Sequence, residues 1–189
     1  MTRFSRILLA ALAVCVLQTG ILGYIIGSRA AILRSGTEIL LKTAPVDPRD
    51  LLRGDYVVLN YEASIVPGSA IVGPQPKEAE KAVLWVRLAK GADEFWTVRE
   101  ASFERLEPTD GNVVLKTLPF QFYPPYSDSG LQVQYGIERF YVPEGEGKAL
   151  EQARNEQALT IAARVSSGGK AQIRSLLMDG KPVYDEPLY

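Results

Sequence analysis

No charged residue stands between Arg6 and Arg29. Within that interval Ile7 to Ile26 is apolar almost throughout, interrupted by Gln18, Thr19 and glycines. As a helix, such a run is about the length that crosses a hydrocarbon core roughly 30 Å thick. It has no polar face to turn to water, so the chain divides into an apolar rod and a remainder that folds by itself. A cleaved signal peptide would have a shorter apolar region, about 7–15 residues, and a small-residue cleavage site. Gly27-Ser28-Arg29-Ala30-Ala31 is a weak site of that kind. The expectation is an uncleaved signal-anchor: a cytoplasmic tail over 1–6, a transmembrane helix over 7–27, a juxtamembrane linker over 28–36 and one domain over 37–189.

A lipoprotein box is a second alternative, at Leu12-Ala13-Val14-Cys15. Val14 is too large for the place before the cysteine, and the apolar run continues well past it. Arg3 and Arg6 flank one end of the run and Arg29 and Arg34 the other, so the positive-inside rule nearly ties. A short tail before a long domain favours the tail staying in the cytoplasm, because long domains cross largely regardless of charge. The domain is therefore expected outside the inner membrane, in the cell envelope. Gly20, Gly23 and Gly27 lie toward one end of the run, with GxxxG spacing between Gly23 and Gly27. Small residues let helix backbones approach closely in lipid, so this strip is a candidate packing surface, although glycine is common in membrane helices anyway.

The rest of the chain is acidic. Beyond residue 36 there are 17 basic against 22 acidic residues, a net charge of −5. That makes the domain as a whole a poor match for nucleic acid or an anionic membrane surface. The chain has no histidine, which excludes a histidine base, a Ser-His-Asp triad and a histidine metal site. Its single cysteine, Cys15, excludes an intrachain disulfide and a cysteine zinc site. No metal and no cofactor are expected.

Short apolar runs alternate with turn signals, the pattern of a mainly β domain, a small barrel or sandwich with one short helix. Expected strands are Glu38–Thr43, Tyr56–Ile65, Ala82–Leu88, Phe95–Ala101, Val113–Leu118, Leu131–Tyr135, Glu138–Val142, Ala158–Val165 and Ala171–Met178. Asp110-Gly111, Gly168-Gly169 and Asp179-Gly180 are tight-turn pairs suited to hairpins. The helix is expected over Lys148–Glu156, and loops over Pro67–Pro76 and Pro119–Gly130.

The most organised stretch runs from Asp47 to Tyr61. Asp47 suits an N-cap, Pro48 a first helical position and Gly54 a left-handed stop, so a helical turn should feed a strand. In that strand Val57, Leu59 and Tyr61 share one face, and Tyr56, Val58 and Asn60 the other. Gly54-Asp55-Tyr56, Leu59 and Tyr61 resemble the signature of the GDYXXLXY family. Arg139-Phe140-Tyr141-Val142-Pro143-Glu144-Gly145 is similar to a later segment of the same family. The resemblance implies one membrane helix followed by a small domain. It also implies a polytopic membrane protein as partner, since genes of the family often sit beside, or fused to, such proteins. It implies no particular reaction.

Asp55 could bind a cation or a partner's arginine, but a short acidic side chain at a turn more often accepts backbone amides. Tyr56 and Tyr61 are expected to fill the core while a hydroxyl reaches a buried acceptor. Arg139, Tyr141 and Glu144 form a possible interaction surface, or an edge strand stopped by Pro143. In the aromatic loop Phe120–Tyr126, the side chains of Phe122, Tyr123 and Tyr126 suit either a contact surface or a loop folded on the core. The layout of anchor, turn and Gly-Asp strand resembles that of Ser-Lys signal peptidases. However, Val46 occupies the nucleophile position, while Ser35 and Ser64 are misplaced. The functional expectation is a membrane-anchored accessory or assembly domain without catalysis. The alternatives are a Ser-Lys peptidase-like hydrolase and an envelope ligand-binding module.

Overall fold

The computed structural model describes residues 3–44, 56–124, 130–141 and 159–186. One helix, α1 (Arg3–Ser35), precedes the strands. The expected linker is thus helical as far as Ser35, a correction with a plain cause. Ala30, Ala31, Ile32 and Leu33 include no breaker before Gly36, and Leu33 is buried in the domain. Gly36 ends the helix by donating its N–H to the Ile32 carbonyl at 2.8 Å. A Cβ at position 36 would lie 2.6 Å from that oxygen, so the chain turns there only with glycine.

The strands follow in chain order: β1 (Thr37–Ala44), β2 (Tyr56–Val58), β3 (Asn60–Tyr61), β4 (Ile65–Val66), β5 (Glu80–Ala82), β6 (Trp85–Lys90) and β7 (Trp96–Ser102). Then come β8 (Asn112–Lys116), β9 (Phe120–Phe122), β10 (Leu131–Gln132), β11 (Arg139–Tyr141), β12 (Leu159–Val165), β13 (Ala171–Met178) and β14 (Lys181–Asp185). The largest sheet has the order β14-β13-β12-β1-β3, antiparallel throughout. A second has the order β7-β6-β8, which places the apolar strand β6 at its centre. Alternation explains β1: Ile39, Leu41 and Thr43 point inward while their neighbours are partly exposed. Ile39, Leu41, Ile161 and Leu176 of the first sheet share one core with Val86, Leu88 and Leu115 of the second.

The domain is mainly β, in several antiparallel sheets, and no closed barrel forms among the described residues. The reason lies in broken strands. The run expected as one strand over Tyr56–Ile65 is cut into β2, β3 and β4, first at Leu59 and then by a 3-10 turn over Glu62–Ser64. The run expected over Ala82–Leu88 is cut between β5 and β6, where Thr117 Oγ1 accepts the Leu84 N–H at 2.9 Å. Asp179 and Gly180 both have positive φ, 50° and 75°, which is the type I′ geometry of a two-residue hairpin between β13 and β14. Asp110-Gly111 does not make a hairpin, because β7 and β8 flank β6 and do not pair. The turn over Asp47–Gly54 and the helix over Lys148–Glu156 lie outside the described residues.

Candidate functional site

The two motif segments are neighbours in space. β2 and β11 pair antiparallel, with Tyr56 opposite Tyr141, Val57 opposite Phe140 and Val58 opposite Arg139. The pairing continues as Leu59 donates its N–H to the Glu138 carbonyl at 2.8 Å. Beyond the 3-10 turn it resumes in the same register: the Ser64 carbonyl accepts from Val133 N–H at 2.9 Å, and Val66 faces Leu131. The two segments therefore form one ladder that opens in the middle, where each strand bends away.

Two tyrosines close that opening reciprocally. The Tyr61 hydroxyl, from the first segment, donates to the Ile137 carbonyl of the second. The Tyr135 hydroxyl, from the second, donates to the Ala63 carbonyl of the first at 2.6 Å. Both rings are buried, and burial, reinforced by the Glu138 charge, pushes both phenols above their usual value of 10.0. They stay protonated and remain donors. The Glu138 carboxylate is spent locally, accepting the amides of Tyr135 and of Gly136, the latter at 2.8 Å. Gly136 has φ +86°, the left-handed geometry that this turn requires. Tyr61 also joins the main sheet through β3, opposite Thr43 of β1.

The expected site residues separate accordingly. Leu59 and Tyr61 are core residues, and Arg139 is an exposed residue of β11. Gly54, Asp55, Tyr126 and Glu144 lie outside the described residues, as do the side chains of Tyr56 and Tyr141. For Phe122 the structure takes the core alternative and replaces the expected loop with a strand. The residue sits in β9, pairs with Glu80 of β5, and is buried edge-on against Phe103 at 4.9 Å. Tyr123, next to it, is 69% exposed. Gly20, Gly23 and Gly27 stand on open helix surface, with nothing within 4 Å of where a Cβ would be. The Ser35 hydroxyl donates to the Ala31 carbonyl at 2.7 Å, and Ser64 is fully buried, so neither is presented as a nucleophile. Among the described residues no group of three or more acidic or cysteine side chains could hold a metal.

Sequence reasoning missed the junction between helix and domain. Leu33 is buried there, and Arg164 Nη1 donates to the Gly36 carbonyl at 3.0 Å while Arg164 pairs with Glu38 at 2.9 Å. On one side of the junction an open groove of about 400 Å³ runs between the helix and the domain, past Arg29, Ile32, Lys116, Leu118 and Lys170. A second, of about 320 Å³, lies between Ala31, Ser35, Thr37, Asn112 and Ser166. The one sequence signal was the absence of a glycine or proline between Gly27 and Gly36, which allows the helix to reach the domain.

No curated protein and no solved structure matches the chain. A family model, described as GDYXXLXY protein, matches residues 18–176, which spans the second half of α1, the junction and both paired motif segments. The chain belongs to the GDYXXLXY family.

Proposed function

We infer that the protein is a membrane-anchored accessory domain acting beside an integral membrane protein. One observation carries this reading. The most apolar 18-residue window of the stretch Leu9–Ser35 has a mean hydropathy of 2.2 and is entirely uncovered by the rest of the chain. So much apolar surface needs lipid or another apolar helix around it. At its far end the helix is fixed into the domain by Leu33, Gly36 and Arg164, so the anchor carries the domain without slack. Leu59, Tyr61 and Phe140 of the two motif segments serve the core, which favours a scaffold over a reaction centre. The partner is proposed to be polytopic and the domain to stand outside the inner membrane.

The test uses the full chain. Alkaline carbonate extraction should leave it in the membrane pellet, and alkaline phosphatase fused after Tyr189 should be active. Purification from detergent-solubilised membranes should bring down a stoichiometric integral membrane protein. Release by carbonate would end the anchor reading, an inactive fusion the orientation, and recovery of the chain alone the accessory role.

A further inference from the structure

The larger groove has a charge pattern opposite to that of the domain around it. Arg29, Lys116 and Lys170 line it, and no acidic residue does among the described residues. None of these three cations forms an ion pair among the described residues. The two lysines come from different elements and are held side by side by backbone geometry. Lys116 donates its N–H to the Gly169 carbonyl at 2.8 Å, which docks the β12–β13 turn onto the end of β8. Gly169 has φ +79°, and a Cβ there would lie 3.0 Å from the Lys116 backbone nitrogen, so the approach depends on glycine. Within the turn, Lys170 N–H donates to Ser166 Oγ at 3.1 Å, and Ser166 N–H donates to the Lys170 carbonyl at 2.9 Å. The Lys116 ammonium also lies 5.2 Å from the centre of the Trp85 ring.

Besides Ser28, Thr117 and Gln172, the rest of the groove's lining is largely apolar, with Ile32, Val83 and Leu118 in its wall and Leu118 44% exposed. Its height relative to a bilayer follows from the helix. The uncharged residues between Arg6 and Arg29 rise about 33 Å at about 1.5 Å per residue, close to a hydrocarbon core of about 30 Å. Arg29 thus falls where hydrocarbon gives way to headgroups, and the groove opens beside it.

Resting on the membrane-anchor reading above, we propose that this groove binds the phosphate headgroup of an anionic phospholipid, whose acyl chains run down alongside α1. Three cations, with no acidic side chain among the described residues of the lining, match the headgroup charge, and the apolar wall continues toward the tails.

The experiment takes the full chain in a neutral detergent and counts retained lipid by native mass spectrometry. Dioleoylphosphatidylglycerol and dioleoylphosphatidylcholine are offered in equal amounts. One phosphatidylglycerol should be retained preferentially, and Lys116→Gln and Lys170→Gln should each weaken retention about fivefold, as expected for loss of one interfacial cation. Both variants should melt with the parent, because both side chains are exposed. If Lys116→Gln fails to fold, Lys170→Gln decides alone. Equal retention of the two lipids, or variants that retain phosphatidylglycerol like the parent, would overturn the proposal. Displacement of the lipid by millimolar inorganic phosphate would also overturn it, because the groove would then read free phosphate. Carbonate extraction separates the two levels: a chain that stays in the pellet yet shows no preference loses only the groove.

Discussion

Tyr61 and Tyr135 are alike in chemistry, yet the sequence motif marks only Tyr61. Tyr61 follows Val57 and Leu59 at a period of two, which marks an inward face. Tyr135 continues the alternation of Leu131 and Val133, but its hydroxyl's partner, the Ala63 carbonyl, is 72 positions away, where no local pattern points to it. The Glu138 backbone meets the first motif while its carboxylate turns back on the amides of Tyr135 and Gly136. The tyrosine pair makes a pH prediction. Both folded phenols titrate above the unfolded value of 10.0, so their contribution is fully present below that pH and is lost as pH rises past it. Urea midpoints should hold steady from pH 7 to 9. Above pH 10, stability should fall by about 1.4 kcal/mol per pH unit for each tyrosine. Tyr61→Phe with Tyr135→Phe should flatten that fall while lowering stability at neutral pH, since two buried carbonyls lose their donors at about 1–3 kcal/mol each. An alkaline slope unchanged in the double variant would show that other groups set it. Tyr61→Ala should cost more, about 3–5 kcal/mol, as loss of a buried aromatic does.

At the scale of elements, long alternating runs were read well and short strands poorly. β13 was expected over its observed span, and β1 and β12 within a residue at each end, because each has seven or eight residues of pattern. β9 and β14 were missed. Three residues between prolines carry too little pattern to stand against a loop, and in β14 a proline lies inside the run. The misreading of β9 matters for function, because it left Phe122 in a loop that suited a contact surface as well as the core. Phe122→Ala should lower the melting temperature strongly, by the equivalent of about 3–5 kcal/mol, whereas Tyr123→Ala should leave it within about 0.5 kcal/mol. If instead Phe122→Ala melts like the parent and Tyr123→Ala does not, the burial assignments of the two neighbours are reversed.

For the whole molecule, the sequence supplied the division into rod and β domain, and it left out how the two join. The join depends on Arg164 and Leu33, which lie 131 positions apart and carry no shared motif. The glycine strip belongs to this scale because a partner would have to lie along it. Gly20→Ile with Gly27→Ile should abolish co-purification of the partner and leave carbonate-resistant insertion intact, since isoleucine is compatible with lipid and both positions have open space. Retention of the partner at the parent's yield would assign the contact to the external domain.

The absence of a flexible joint at Gly36 makes the anchor a dial as well as a tether. Each residue added to a helix turns whatever it carries by about 100° and lifts it about 1.5 Å. One alanine inserted between Ala30 and Ala31 should therefore swing the domain to a new bearing against a partner held in the same membrane. Seven inserted residues should bring it nearly back to its first bearing, about 10 Å higher. Partner recovery that falls with one inserted residue and returns with seven would mean that the bearing matters more than the height. Indifference to both insertions would mean that the partner grips the rod alone.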